Sequence, residues 1–269
     1  MGLRPRKGLG QHFLVDTQVL DKIIAAARLA ADGRVIEVGP GLGVLTRALA
    51  RHAGEVVAIE VDPHLADALR NMFAGQSNVR IVVADVLQLE PSSVVAAPYK
   101  VVANLPYYIA APVLRHFLEA KVRPERIVVM VQREVAKRLV ARPGDLSLLA
   151  ISVQFYSRPA IVATVSARSF YPQPRVDSAV VALDVLPRPA LDVDPACFFR
   201  VVKAGFAAPR KQLRNSLAQG LDVASAQAGQ WLEAAGIEPR RRPEELSLEE
   251  WGKLCQTVCG EVGTSHDKP

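Results

Sequence analysis

The sequence has no long apolar run and almost no low-complexity segment. No stretch approaches the roughly 18 consecutive apolar residues that a membrane span requires. No apolar core follows Arg4, Arg6 and Lys7, as a secretion signal would require. We therefore expect a cytoplasmic protein without a membrane segment. Residues 263–269 are polar, so we expect the tail from residue 261 onward to be disordered.

Cysteine is also scarce, with three residues in the whole chain. Cys255 and Cys259 are four residues apart and could share one face of a helix. No Cys or His cluster in the sequence completes a zinc site around them. We therefore expect these cysteines, with Cys197, to be buried reduced thiols, and we expect no bound metal.

The 269 residues, of which 50% are hydrophobic, allow one large domain with a small companion. The net charge of +6 and the pI near 9.4 favour a polyanionic partner. Basic residues concentrate in three stretches: Met1–Val15, Cys197–Leu221 and Arg240–Arg242. A solvated surface would explain any one of these stretches, whereas three together favour a nucleic-acid surface.

A predicted strand at 34–38 leads into Gly39-Pro40-Gly41-Leu42-Gly43, and a predicted helix follows. Strand, glycine turn and helix form the first crossover of many nucleotide-binding folds. A dinucleotide fingerprint would place glycine at position 44, where this chain has Val44. The spacing therefore fits a nucleoside cofactor without a pyrophosphate and disfavours a dehydrogenase. A tight turn without a ligand is the alternative.

Four successive predicted strands end in a polar residue: Glu37, Glu60, Asp85 and Asn104. In a parallel sheet these ends share one edge, which is where open α/β sheets bind ligands. Glu60 is suited to the two ribose hydroxyls of a nucleoside, and Asp85 to an adenine amine. Each acid alone could be a helix cap or a solvated charge, but the repetition favours a common site.

Asn104-Leu105-Pro106-Tyr107 follows the fourth of these strands. The Asn104 side chain and the Leu105 peptide each offer a carbonyl acceptor, and Pro106 restricts the backbone that carries them. Tyr107 adds a flat face on which a base could stack. Two acceptors beside an aromatic ring suit the exocyclic amine of adenine. An ordinary turn, in which Asn bonds locally and Pro ends the strand, is the alternative.

Phe170 heads the proline-rich stretch 170–178, between the last two predicted strands at 161–165 and 179–183. This loop could bring Phe170 against a base held on Tyr107. It could equally be a structural connection with Phe170 in the core.

A domain boundary is predicted at Pro187-Arg188-Pro189. Residues 1–186 then form the catalytic domain with its N-terminal arm, and residues 187–260 form a small helical domain. Helices are predicted at 147–156 and, beyond the boundary, at 195–206, 210–217, 224–235 and 248–259.

From Leu9 to Trp251 the chain resembles the ribosomal RNA adenine N6-dimethyltransferase family, in particular its bacterial members that act on 16S RNA. The resemblance rests on six stretches in a fixed order: 10–14, 37–43, 104–107, 132–136, 170–178 and 210–217. It implies an α/β fold, a Rossmann-like class I methyltransferase sheet of seven mostly parallel strands, with a small C-terminal all-helical domain.

The resemblance also implies an activity and a set of residues that perform it. The implied activity is S-adenosylmethionine-dependent dimethylation of N6 of two adjacent adenosines in the loop of the 3′-terminal hairpin of 16S rRNA. The implied partner is this RNA within the small ribosomal subunit, whose biogenesis the enzyme would serve. We take a monomer as the default oligomeric state. The implied cofactor-binding residues are His12, Leu14, Gly39, Gly41, Glu60, Asp85 and Asn104. The implied catalytic residues are Asn104, Leu105, Pro106, Tyr107 and Phe170, and the RNA-binding residues are Arg210, Lys211 and Arg214.

The chain departs from the family pattern in three places. His12 stands where the family often has Asn, residues 207–209 are Ala-Ala-Pro where polar and basic residues are usual, and the loop 143–147 is short. Three other functions stay open at this point. They are an adenine methyltransferase acting on 23S RNA, a DNA adenine methyltransferase, which would usually carry Pro at position 105, and a non-catalytic RNA-binding factor.

Overall fold

The structure is a computed structural model that describes residues 12–106 and 108–264. It divides into two compact units. The first unit contains the described residues up to Lys137 together with Ser157–Pro187. The second contains Arg138–Tyr156 and the described residues from Arg188 onward. The division differs from the predicted one in residues 138–156, which were predicted to belong to the catalytic domain.

Strands and helices alternate through most of the first unit. Its described strands are β1 (Phe13–Leu14), β2 (Arg34–Val38), β3 (Glu55–Glu60), β4 (Val79–Val83), β5 (Lys100–Asn104), β6 (Arg126–Gln132), β7 (Ser157–Val165), β8 (Phe170–Tyr171) and β9 (Ser178–Val185). Its described helices are α1 (Thr17–Ala27), α2 (Val44–Ala50), α3 (Pro63–Met72) and α4 (Ala110–Leu118), and α5 (Arg133–Leu139) begins in this unit.

Seven of the described strands form one sheet in the order β4-β3-β2-β5-β6-β9-β7. The first five are parallel, and β9 pairs antiparallel with both of its neighbours. The predicted mostly parallel, seven-stranded sheet is therefore confirmed. The chain leaves β2 toward β3 and leaves β5 toward β6, so the strand order reverses between β2 and β5. Such a switch point opens a crevice at the carboxyl ends of the strands.

A second, two-stranded sheet joins parts of the chain that are far apart in sequence. β1 pairs antiparallel with β8, with Phe13 opposite Tyr171 and Leu14 opposite Phe170. The sequence predicts an arm at β1 and a loop at β8, and no local pattern in either segment indicates that they pair. The pairing holds the described end of the arm against the start of the proline-rich loop.

Local capping explains why the first helix begins where it does. Asp16 is the N-cap of α1, and its carboxylate accepts hydrogen bonds from the backbone N–H groups of Gln18 and Val19. The buried stripe of α1 includes Val19 and Ile23, which join the core beneath the sheet.

The second unit is helical throughout its described elements, as predicted. Its helices are α6 (Leu148–Tyr156), α7 (Pro195–Gly205), α8 (Leu213–Leu221), α9 (Ser225–Ala234) and α10 (Leu248–Thr264). The ring of Phe155 on α6 stacks on Phe198 of α7 at 4.5 Å between centroids, which explains why residues 148–156 belong to this unit. α10 continues through residues 261–264, which were predicted to be part of the tail. No helix among the described residues is both long and apolar enough to cross a membrane.

Candidate active site

A cavity of about 380 Å³ lies at the carboxyl ends of β2, β3 and β5, within the first unit. Its volume is in the range of small-molecule sites. Every predicted cofactor-binding residue contributes to its wall: His12, Leu14, Gly39, Gly41, Glu60, Asp85 and Asn104. The predicted catalytic residues Leu105, Pro106 and Phe170 line it as well. Tyr107, the remaining predicted catalytic residue, lies outside the described residues.

The glycine turn forms one wall of the cavity because its backbone takes conformations that other residues avoid. Gly39, Gly41 and Gly43 have φ angles of 67°, 56° and 75°. A Cβ atom on Gly43 would lie 2.9 Å from side-chain atoms of both Leu69 and Phe73. The turn therefore needs glycine at position 43 for space as well as for φ.

Glu60 ends β3 with its carboxylate held by backbone donors. Its Oε1 accepts from Asp62 N at 3.0 Å, and its Oε2 accepts from Gly41 N at 3.4 Å. Burial raises the pKa of Glu60, and these two hydrogen bonds act in the opposite direction. A carboxylate accepts up to about four hydrogen bonds, so Glu60 retains acceptor sites toward the cavity.

Glu37 on β2 is more deeply enclosed, with 1% of its surface exposed. Its Oε2 atom has no hydrogen-bond partner among the described residues. Burial raises the pKa of Glu37 to about 8. Hydrogen bonding to Thr46 lowers this pKa, and the negative charge of Glu60 raises it. Glu37 is therefore largely protonated at neutral pH in the cofactor-free protein.

Asn104 ends β5 with one end of its amide already engaged. Its Nδ2 donates to the backbone carbonyl of His12 at 3.2 Å. The next residue is fixed through its backbone, because Leu105 N donates to Met130 O at 3.2 Å. With Nδ2 directed to His12, the Oδ1 end of the Asn104 amide is the one available to accept a hydrogen bond from a ligand.

Phe170 lies between the core and the cavity. It is 5% exposed and belongs to the hydrophobic core, yet its side chain also lines the cavity. The two interpretations of Phe170, as a core residue and as a site residue, are thus compatible. Residues around it are tied to the arm: Ser169 Oγ donates to Asp16 Oδ2 at 2.9 Å, and His12 Nδ1 lies 2.7 Å from Pro172 O.

Comparison with known proteins identifies the family. The family model described as ribosomal RNA adenine dimethylase matches residues 2–258. The chain belongs to this family. The chain is 51% identical over 261 residues to the ribosomal RNA small subunit methyltransferase A of Dehalococcoides mccartyi, covering 96% of this chain and 90% of the relative. The enzyme of the same name from Moorella thermoacetica is 44% identical over 270 residues, covering 96% and 93%.

Two solved structures also resemble this chain. The 23S rRNA methyltransferase ErmE has a TM-score of 0.71 at 30% identity, covering 92% of this chain and 99% of that one. A dimethyladenosine transferase from Plasmodium falciparum has a TM-score of 0.77 at 24% identity, covering 94% and 98%, and shows the shared fold. The predicted family, enzyme class and methyl donor, S-adenosylmethionine, are confirmed.

Several residues of the dimethylase cavity were not among the predicted site residues. Glu37 was recognised as a polar strand end, but its protonation depends on enclosure that only the fold provides. Phe13 and Tyr108 line the cavity, and Tyr108 is 63% exposed. The position of Tyr108 next to Tyr107 was the one sequence signal for it. Thr46, which acts on Glu37 without lining the cavity, had no sequence signal.

The predicted RNA-binding residues lie in the second unit. Arg210, Lys211 and Arg214 are all exposed, as an RNA contact requires. The helix was predicted to begin at Arg210, but α8 begins at Leu213. Arg210 and Lys211 therefore precede the helix. Arg241, in a third predicted basic stretch, is engaged within the protein. It donates to both carboxylate oxygens of Glu250 and to Glu245 O, and its side chain is 27% exposed.

Proposed function

We propose that this enzyme transfers two methyl groups from S-adenosylmethionine to N6 of each of two adjacent adenosines in the loop of the 3′-terminal hairpin of 16S rRNA. The substrate is this RNA within the small ribosomal subunit in the cytoplasm, and the enzyme acts as a monomer in biogenesis of the subunit. Family membership and the names of relatives at 51% and 44% identity support this substrate.

The observation that carries the proposal is the orientation of Asn104. Its Nδ2 is held by the His12 carbonyl, so its Oδ1 can accept from the exocyclic amine of adenine. The Leu105 carbonyl is the proposed second acceptor, on a backbone fixed by the Met130 carbonyl and by Pro106. Two acceptors on the N6 hydrogens direct the nitrogen lone pair toward an electrophile.

The residues of the cavity fit S-adenosylmethionine by charge and by hydrogen-bonding capacity. The cofactor carries a sulfonium, an ammonium, a carboxylate, a ribose diol and an adenine. Glu60 and Asp85 line the wall that would hold the nucleoside, and the unpartnered Glu37 Oε2 offers an acceptor to a cationic group. When bound, the cofactor supplies a methyl group already activated by its positively charged sulfur.

The protein contributes placement, because an activated methyl group needs no covalent enzyme intermediate. Holding two reactants in a near-attack arrangement can account for about 7–11 kcal/mol of a barrier. Asn104 and Leu105 hold the amine, and Phe170 with Tyr107 grips the adenine ring. The adenine must leave its stack, which costs a few kcal/mol and less in a loop than in a duplex. After transfer, the N6 proton leaves to solvent.

The basic residues of the second unit are proposed to contact the RNA backbone. Arg210, Lys211 and Arg214 are exposed, and no acidic residue lies in the segment 197–221. Phosphate contacts of this kind position an RNA without reading its sequence. Methylation of 23S rRNA is the second candidate, favoured by the similarity to ErmE at 30% identity.

The test incubates the enzyme with labelled S-adenosylmethionine and three substrates: unmethylated small subunits, 23S rRNA and duplex DNA. We expect label on N6 of the two adjacent adenosines of the small subunit, mapped by nuclease digestion and mass spectrometry. Asn104→Ala should lower kcat by on the order of 100-fold, as expected for the loss of one aimed hydrogen-bonding group.

Asn71→Ala is the matched control, because Asn71 is exposed on α3 and does not line the cavity. It should methylate at the wild-type rate. Label confined to 23S rRNA or DNA would refute the substrate. An Asn104→Ala enzyme that works at nearly the wild-type rate would refute the role given to Asn104.

A further inference from the structure

The second unit brings all the cysteines of the chain together. Cys197 lies in the first turn of α7, whereas Cys255 and Cys259 lie one turn apart on α10. The three sulfur atoms all lie within 4.8 Å of one another. The expectation of buried reduced thiols holds for Cys255 alone, because Cys197 and Cys259 are partly exposed and lie within disulfide-bonding contact. The packing of α7 against α10 supplies the third thiol that the local spacing lacked.

We propose that Cys197, Cys255 and Cys259 form a site for one thiophilic d10 cation, Zn²⁺ or Cu⁺. Sulfur ligands of this kind select these ions over hard cations. Thiolates 2.3 Å from a tetrahedral zinc ion would be about 3.8 Å apart. The Cys255 and Cys259 sulfurs are 3.9 Å apart, which matches that spacing.

The surroundings of the three sulfurs suit a thiolate–metal complex. Binding of Zn²⁺ would break three S–H bonds, form three S–Zn bonds and release three protons, leaving one net negative charge. The guanidinium of Arg200 lies beside this charge, with Nη2 3.5 Å from Cys197 Sγ and 3.9 Å from Cys259 Sγ. Donors of this kind to ligand atoms stabilise metal sites from outside the coordination sphere.

The three proposed ligands differ in their exposure to solvent. Cys197 and Cys259 are partly exposed, so an ion can reach the site from solvent and keep a fourth position for water. Cys255 is 2% exposed and forms the buried side of the site. A buried neutral thiol on its own would be inert, whereas a coordinating thiol is deprotonated outright. The ion would tie the start of α7 to α10 in the second unit.

A disulfide between Cys197 and Cys259 is the competing outcome. The structure pairs these two sulfurs as a disulfide, with Cα atoms 6.6 Å apart, and leaves Cys255 as a free thiol; the metal site requires the reduced form of the pair. A disulfide leaves Cys255 without a role. In the cytoplasm, where we place this protein, clustered cysteines bind metals more often than they form disulfides.

The test uses the full-length protein, reduced and stripped of metal under anaerobic conditions. Zn²⁺ and Cu⁺ are titrated in separate arms, with Cd²⁺ as a spectroscopic probe of thiolate ligation. We expect one equivalent to bind, a Cd–thiolate absorption band to appear, and the three thiols to become protected from a thiol reagent. The temperature of unfolding should rise by several degrees, since a ligand of the folded state stabilises it.

The variants Cys197→Ser, Cys255→Ser and Cys259→Ser should each lose the absorption band and bind at least 10-fold more weakly. Thr257→Ala, on α10 between two of the cysteines, is the matched control and should bind as the wild type does. Metal binding that persists in all three cysteine variants would overturn the proposal. So would a reduced wild-type protein whose three thiols stay reactive in excess metal, or one that only forms the Cys197–Cys259 disulfide. These last two readouts use the wild type, so the proposal stays testable even if a variant fails to fold.

Discussion

Replacing Glu37 by Gln should change how the stability of the cofactor-free protein depends on pH. Glu37 is fully buried, and its pKa is raised from the ordinary 4.5 to about 8. Between these two values the folded state keeps a proton that the unfolded state has lost. The unfolded state therefore binds fewer protons, and the free energy of unfolding of the wild type falls as pH rises. Gln has nearly the same shape as protonated Glu and does not titrate.

The size of the effect follows from the pH interval. One proton held by the folded state alone changes the free energy of unfolding by about 1.36 kcal/mol per pH unit. From pH 4.5 to pH 7 the wild type should lose about 3 kcal/mol that the Glu37→Gln variant keeps. Above pH 8 Glu37 is ionised in both states, so the difference between the two proteins stops growing. Below pH 4.5 the two proteins should have similar stability.

The assay is urea unfolding of both proteins without cofactor at a series of pH values from 4 to 9. Far-UV circular dichroism follows the loss of secondary structure in both units, whereas Trp231 and Trp251 both lie in the second unit and report that unit by fluorescence. Glu249→Gln, an exposed substitution on α10, controls for the loss of one carboxylate. Parallel stability curves for the wild type and Glu37→Gln would refute the assignment of a protonated, buried Glu37.

Other predictions concern the Phe170 ring, the RNA contacts and the glycine turn. Phe170→Leu should lower kcat/KM for the RNA by about 5- to 150-fold, because a stacked base contributes about 1–3 kcal/mol; unchanged steady-state kinetics would contradict the stacking role. Replacing Arg210, Lys211 and Arg214 together by Gln should lower the magnitude of the salt slope of log K for RNA by about 2, at about 0.7 per lost phosphate contact. An unchanged slope in filter binding would show that these side chains do not contact RNA. Gly43→Ala should destabilise the protein by more than 1 kcal/mol, measured by urea unfolding, because its positive φ and its contacts with Leu69 and Phe73 leave no room for Cβ.

The parts of the site that the sequence predicts are those encoded locally. A buried strand, a glycine turn and a helix follow one another within residues 34–50, and each has its own signal. The polar ends of four consecutive strands could be placed together because parallel strands with helical crossovers share one carboxyl edge. Glu60, Asp85 and Asn104 reach one cavity for this reason.

The features that escaped prediction depend on pairings between distant residues. β1 and β8 are two residues long each and lie more than 150 positions apart, so neither has a period or a propensity that reveals its partner. Cys197 meets Cys259 only because α7 packs on α10. Arg241 looks like part of a basic stretch, but its partner Glu250 on α10 is supplied by the fold. A sequence shows where charged residues cluster along the chain, but tertiary contacts determine which of these charges face solvent.

The acidic residues at the carboxyl edge of the sheet destabilise the folded protein when no cofactor is bound. Three acids line one cavity, and two of them, Glu37 and Glu60, have raised pKa values because burial disfavours their charge. A sulfonium or ammonium group placed beside these acids reverses this preference, because a nearby opposite charge favours the ionised form. Binding of S-adenosylmethionine at pH 7 should therefore release close to one proton from Glu37. Calorimetric titration in two buffers of different ionisation enthalpy measures that proton, and the Glu37→Gln variant should not release it. Equal proton release from both proteins would place the cofactor's charge elsewhere in the cavity.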